Sequence, residues 1–176
     1  MNRLVLLVLV FGLTAAAHGQ GSVLFANYVE GIVNAPVVHN GSTDGPGPDY
    51  SAQLFLQGNN GSLTPLTPIT TFASRGPLGT EDRYWIPQTV NVPVQPGTDA
   101  TFIVRAWHTA DGNFDASPVD RRQTDPFVVT VGGGALPPAY LTTLKAFSLF
   151  PEFPEPSTIA VGVLGALLFV IQRKGR

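Results

Sequence analysis

Cysteine is absent from this chain, and its absence excludes several kinds of chemistry. Without thiols there is no cysteine nucleophile, no iron–sulfur cluster and no cysteine-ligated zinc site. Disulfide bonds are excluded too, so the folded part of the chain depends on its core for stability. Histidine is also scarce, and only His39 and His108 lie beyond residue 20, neither of them in a catalytic motif. We therefore predict a protein that is not an enzyme and has no cofactor.

Charged residues are few as well, at 12% of the chain, with ten basic and twelve acidic side chains. Residues 20–152 carry six basic and eleven acidic side chains, which gives a formal charge of −5. A surface of this sign disfavours nucleic acid and anionic membrane surfaces as partners. We expect no nucleic-acid partner.

Helical periodicity is missing before residue 157, whereas alternation of apolar and polar residues is frequent. Nineteen glycines and sixteen prolines are typical of short strands joined by turns, and a hydrophobic share of 44% is too high for a disordered chain. The clearest predicted strand is residues 100–108, with Ala100, Phe102, Val104 and Ala106 on one face. Further strands are predicted at residues 22–28, 31–38, 50–57, 69–74, 83–86, 89–94, 127–131 and 146–150.

The segment around residues 100–108, with turn sequences on both sides, resembles the penultimate strand of fibronectin type III domains over fewer than twenty residues. This resemblance favours a sandwich over a barrel. The predicted fold is therefore all-β, a single antiparallel β-sandwich of the immunoglobulin or fibronectin III type over residues 20–152.

The first nineteen residues have the three parts of a secretory signal peptide. Arg3 supplies positive charge, residues 4–13 form an apolar core, and Ala17-His18-Gly19 is a site of the small-x-small type. The apolar core, of about ten residues, is too short for an ordinary membrane anchor. We predict residues 1–19 to be a signal peptide.

The other end of the chain combines a stiff motif, an apolar run and a basic tail. Pro154-Glu155-Pro156 favours extended backbone, and Ser157 or Thr158 is suited to capping a helix over the apolar residues 159–171. The basic residues Arg173, Lys174 and Arg176 follow directly, and such charges hold that end of a membrane helix in the cytoplasm. Residues 153–176 are thus predicted to include a C-terminal transmembrane helix, short for a membrane span.

This order of features resembles the PEP-CTERM sorting signal of exported bacterial proteins. The resemblance covers about the last two dozen residues, and Phe153 stands where valine is common. It implies processing near the motif by the membrane enzyme exosortase, followed by release to the cell surface or the exopolysaccharide matrix. An unprocessed C-terminal anchor is the alternative. Residues 21–150 also resemble uncharacterised cargo proteins of that group, which implies no activity.

Three aromatic residues near polar groups are candidate carbohydrate contacts, namely Tyr84, Trp85 and Trp107. Their alternative role is in the core. We expect a structural or adhesive protein of the envelope or exopolysaccharide. A carbohydrate-binding module is the second hypothesis, and a secreted hydrolase without a recognisable motif is the third.

Asp111, Asn113 and Asp115 place oxygen-bearing side chains at alternate positions, as at the start of a calcium-binding loop. The rest of the pattern fails, because Ala116 stands where glycine is expected and Arg122 stands at the position of the final glutamate. A turn between two strands is the alternative. We predict that the protein has no bound metal, and we keep these three residues as a weak candidate for a calcium site.

Overall fold

The computed structural model describes residues 20–39, 43–76, 79–117 and 121–149. The predicted signal peptide and the predicted sorting segment lie outside the described residues. The same holds for the residues of the predicted sorting motif and basic tail, which are Pro154, Glu155, Pro156, Ser157, Arg173, Lys174 and Arg176. Within the described ranges, no helix is long and apolar enough to cross a membrane.

The described part of the chain is all-β, as predicted, with 3-10 turns at Glu81–Arg83 and Thr109–Asp111. The strands in chain order are β1 (Gly21–Phe25), β2 (Tyr28–Val29), β3 (Val33–Asn34), β4 (Val37–Val38), β5 (Tyr50–Gln57), β6 (Leu63–Pro65), β7 (Thr70–Thr71), β8 (Gln88–Val92), β9 (Asp99–His108), β10 (Arg121–Gln123), β11 (Phe127–Thr130), β12 (Ala139–Tyr140) and β13 (Phe147–Ser148).

The largest sheet is built on the antiparallel pair of β5 and β9, which runs from Tyr50 opposite His108 to Gln57 opposite Thr101. On the far side of β9, β10 and β11 pair with its two ends. On the far side of β5, β6 and β7 pair in the same way. The proline-rich segment after residue 62 therefore forms edge strands, as its prolines require.

A smaller sheet has the order β12-β1-β8. β1 is antiparallel to β8 but parallel to β12, and β13 is likewise parallel to β4. The prediction of a purely antiparallel arrangement is wrong at these two places. For β12 the cause is visible: Gly132 pairs antiparallel with Ser22, the chain then reverses at Gly133 and Gly134, which have positive φ angles, and β12 consequently runs parallel to β1. Only glycine fits at Gly132, because a Cβ there would collide with the Pro137 carbonyl oxygen.

One hydrophobic cluster draws side chains from both sheets. The face of β9 predicted from alternation is confirmed: its four members lie in this cluster together with Ala52 and Leu54 of β5. The smaller sheet contributes Val23, Phe25, Val90 and Val92. The last core residue is Leu149, fully buried, whose backbone N–H donates to the Val38 carbonyl at 3.1 Å.

The opposite face of β9 is covered as well, since Ile103 and Trp107 are buried. The loop after β9 folds back over this side of the sheet. Phe114 lies between two guanidinium groups, with Arg105 at 4.5 Å and Arg121 at 5.0 Å from its ring centre. Arg121 Nη1 also donates to the carbonyl oxygens of Phe114 and Asp115, at 2.7 and 3.0 Å. These contacts fix the loop against the sheet.

Candidate functional site

Both tryptophans proposed as sugar contacts are core residues, each 2% exposed. The Trp85 ring packs against Phe25 and Phe72, with centroids at 4.7 and 5.8 Å, and its Nε1–H donates to the Phe25 carbonyl. Neither indole presents a face to solvent on which a sugar could stack. Trp85 and Trp107 therefore have the alternative role considered for them, in the core, and are not candidates for sugar stacking.

Tyr84, the third predicted contact, lines a surface pocket of about 380 Å³. The wall of this pocket consists of Tyr28, Ala73, Thr80, Glu81, Tyr84, Trp85, Ile86 and Pro87. Tyr28 and Ile86 are each 47% exposed, so much of the apolar surface of the pocket is in contact with water. The rings of Tyr28 and Tyr84 are 4.9 Å apart at an angle of 42°. We call this feature the tyrosine pocket.

The tyrosine pocket forms where the β2–β3 hairpin meets the extended segment after the 3-10 turn. The buried side chain of Asn27 joins the two parts. Its Nδ2 donates to the carbonyl oxygens of Ala35 and Arg83, at 3.0 and 3.1 Å, and its Oδ1 accepts from the Trp85 backbone N–H at 3.0 Å. A buried amide with all these bonds made is a stable cross-link between segments more than fifty residues apart.

The Tyr84 ring is held in place by its own hydroxyl group, which donates to Asn34 Oδ1 at 2.9 Å. Burial raises the pKa of Tyr84 above 10.0, the positive charge of Arg83 partly opposes this, and Tyr28 adds to it. The phenol is consequently neutral at physiological pH and keeps its donor hydrogen.

The polar part of the pocket wall comes from the start of the 3-10 turn. Glu81 Oε2 accepts a hydrogen bond from the Thr80 backbone N–H at 2.9 Å, which fixes the position of the carboxylate. None of the described residues that line the pocket is lysine or arginine, but the positive charge of Arg83 lies close enough to act on Tyr84. The pocket thus combines two aromatic rings, apolar side chains, a hydroxyl group and one carboxylate, an arrangement suited to binding rather than to proton transfer between paired groups.

The three residues of the calcium candidate each have a separate protein contact. Asp111 Oδ2 accepts from the Ser117 hydroxyl at 2.7 Å, and Asn113 Oδ1 accepts from the Ala116 backbone N–H at 3.0 Å. Asp115 Oδ1 lies 3.9 Å from Arg105 Nη1. Among the residues that the structure describes, no group of three or more His, Asp or Glu side chains could hold a metal ion. This loop is a turn, held by contacts within it and by Arg105 of β9.

His39 and His108 lie on either side of one tyrosine, an arrangement that no sequence pattern predicted. The rings of His39 and His108 are 5.9 and 5.2 Å from that of Tyr50, both edge to face. His39 Nε2 and the Tyr50 hydroxyl are 3.3 Å apart. This is an aromatic packing arrangement at the end of the large sheet.

No family model, curated protein or solved structure matches this chain. The resemblances read from residues 153–176 and from the β9 segment stay predictions.

Proposed function

We propose that this chain is an exported bacterial protein with a structural or adhesive, non-catalytic role at the cell surface or in the exopolysaccharide matrix. Residues 153–176 carry the proposal, because a Pro-Glu-Pro motif, an apolar run and a basic tail occur there in the order of a sorting signal. The signal-peptide pattern at residues 1–19 supports export. Before processing, the predicted C-terminal helix would hold the precursor in the membrane. Exosortase then acts near Pro154–Pro156.

The proposed architecture for residues 20–152 is a β-sandwich of the immunoglobulin or fibronectin III type. Its support is the shared hydrophobic cluster, in which β1 and β8 of one sheet and β5 and β9 of the other contribute buried side chains. A module of this kind suits a structural role, since its core joins both sheets and it needs no disulfide bond.

The sorting proposal is tested by replacing the motif in the full-length chain, with Pro154→Ala, Glu155→Ala and Pro156→Ala together. In a host that contains exosortase, we expect the wild-type chain to appear as a shortened form outside the membrane fraction. The triple variant should stay at full length in the membrane fraction. The matched control is Pro46→Ala with Pro48→Ala, which removes two prolines elsewhere and should be processed normally. Release of a shortened triple variant at the wild-type level would contradict the proposal.

Carbohydrate binding is the second candidate function. The observation in its favour is that Tyr84 and Tyr28 place paired aromatic rings beside the Glu81 carboxylate in one pocket. Aromatic surfaces next to hydrogen-bonding groups suit ligands that have an apolar side and a polar side.

A further inference from the structure

We propose that Asn60 is a site of spontaneous modification, at which the side-chain amide cyclises onto the backbone and is converted to isoaspartate and aspartate. The site lies in the turn between β5 and β6, where Asn60 is followed by Gly61 and Ser62. All three residues are exposed, so water has access to the reacting groups. Neither sorting nor carbohydrate binding is needed for this reaction.

Two hydrogen bonds polarise the side-chain carbonyl group of Asn60. The Ser62 backbone N–H donates to Asn60 Oδ1 at 3.0 Å, and the Ser62 hydroxyl group donates to the same atom at 2.6 Å. A backbone N–H can only donate, so it is the oxygen of the amide that faces Ser62. Attack on the amide carbon moves negative charge onto Oδ1. Two donors already directed at this oxygen stabilise that charge, as in an oxyanion hole.

The position of Ser62 depends on Gly58, across the turn. The Gly58 backbone N–H donates to the Ser62 carbonyl oxygen at 2.8 Å. A Cβ at Gly58 would lie 2.8 Å from Ser62 Oγ and 3.2 Å from Asn60 Oδ1. Both atoms of the shorter hydrogen bond therefore occupy space that any other residue at position 58 would fill.

The nucleophile is the backbone nitrogen of Gly61, the residue directly after Asn60. Gly61 has a φ of 81°, and no atom lies within 4 Å of the place where its Cβ would be, so no neighbouring group crowds this side of the residue. The Gly61 N–H donates to the Gly58 carbonyl oxygen at 2.9 Å. This bond must break before the nitrogen can attack, and it sets an opening step before the cyclisation.

The reaction requires only water. The Gly61 nitrogen gives its proton to water or hydroxide and forms a bond to Asn60 Cγ, the Cγ–Nδ2 bond breaks, and Nδ2 takes up a proton and leaves as ammonia. Water then opens the cyclic imide. Opening at Cγ gives aspartate, whereas opening at the backbone carbonyl gives isoaspartate, in which the chain continues through Cγ. Either product changes the formal charge of residues 20–152 from −5 to −6.

The test is incubation of the full-length chain in a mild detergent and a mildly alkaline buffer made with oxygen-18 water, followed by digestion and mass spectrometry. We expect isoaspartate and aspartate to accumulate at Asn60, each with one labelled oxygen atom. Asn113 is the matched control within the same chain. It is exposed and its Oδ1 accepts from the Ala116 backbone N–H, but Phe114 follows it, so it should remain an amide.

Two variants test the role of the turn. Ser62→Ala removes the hydroxyl donor and Gly58→Ala displaces it, so each should slow the reaction of the folded chain about two- to tenfold, the factor that corresponds to one hydrogen bond. Ser62→Thr keeps the hydroxyl group and should react at nearly the wild-type rate. Asn40 is followed by the same two residue types as Asn60 and is the internal reference, whose rate these variants should leave unchanged.

The same measurement in urea separates the geometry of the turn from its sequence. When the chain is unfolded the hydrogen bonds are lost, so the wild type and Ser62→Ala should react at the same rate. The proposal is overturned if Asn60 yields no isoaspartate, if Ser62→Ala reacts as fast as the folded wild type, or if this variant is slowed equally in urea. Near-ultraviolet circular dichroism from the buried tryptophans checks that each variant is folded in the absence of urea.

Discussion

Asn27 is a single side chain that joins two distant segments, and Asn27→Ala tests how much the fold depends on it. The side chain is fully buried and makes three hydrogen bonds, all lost in the variant. The Trp85 backbone N–H would then be buried without its acceptor. Each bond contributes about 0.5–1.5 kcal/mol, and a buried unsatisfied donor costs about 1–3 kcal/mol. We expect the free energy of unfolding to fall by about 3–5 kcal/mol.

The assay is urea unfolding of the full-length chain in a mild detergent, followed by tryptophan fluorescence. With a slope of about 2 kcal/mol per molar urea, the midpoint should fall by about 1.5–2.5 M. The matched control is Asn91→Ala, because Asn91 is exposed on β8 and its side chain should contribute less than about 0.5 kcal/mol. An Asn27→Ala midpoint equal to the wild type, or an equal loss in both variants, would refute this reasoning.

Asn27→Asp gives an independent check through its pH dependence. The aspartate would place an oxygen where Nδ2 now donates to two carbonyl oxygens. Burial and these neighbours raise the folded-state pKa of the carboxyl group above its usual value of about 3.9. The variant should therefore be most stable below about pH 4 and lose stability as the pH rises, relative to the wild type. A variant that gains stability over that range would contradict the geometry.

Two more predictions concern the aromatic residues. Trp107→Ala should lower the free energy of unfolding by about 3–5 kcal/mol in the same urea assay, because the side chain is buried. A loss of less than about 1 kcal/mol would contradict the close packing of Trp107. The folded-state pKa of Tyr84 is raised above 10.0, so the folded state favours the neutral phenol. The stability that this preference contributes is constant below about pH 10 and is lost as the pH rises further. Tyr84→Phe should thus show a smaller decrease in melting temperature between about pH 9 and about pH 11 than the wild type, and equal decreases would count against the raised pKa.

The long strands could be predicted from the sequence because alternation acts over many residues. β5 was expected at residues 50–57 and is found there, and β9 begins one residue before its predicted start. β12 has only two residues, too few to show alternation, and no strand was predicted there. β13 lies within the strand predicted at residues 146–150, but its parallel pairing with the distant strand β4 could not be predicted from local sequence.

The candidate site was predictable only in part, for a related reason. Alternation places Trp107 on the face of β9 opposite the core, but whether that face is exposed depends on the loop around Phe114. Tyr84 was identified from its neighbours in sequence, whereas Tyr28 and Asn27 are more than fifty residues away and gain their roles through pairing in space. An isolated asparagine beside a short strand has no local pattern that distinguishes a buried cross-link from a turn residue.

The burial of Leu149 limits the room in which a processing enzyme could work. Pro154 is five residues further along the chain, and five fully extended residues reach at most about 18 Å. An exosortase acting at the motif would have to approach the end of the folded domain closely, or β13 would have to separate from β4. Cleavage and the final pairing of the sheet would then compete for the same short tether, and lengthening it would favour cleavage without changing the motif.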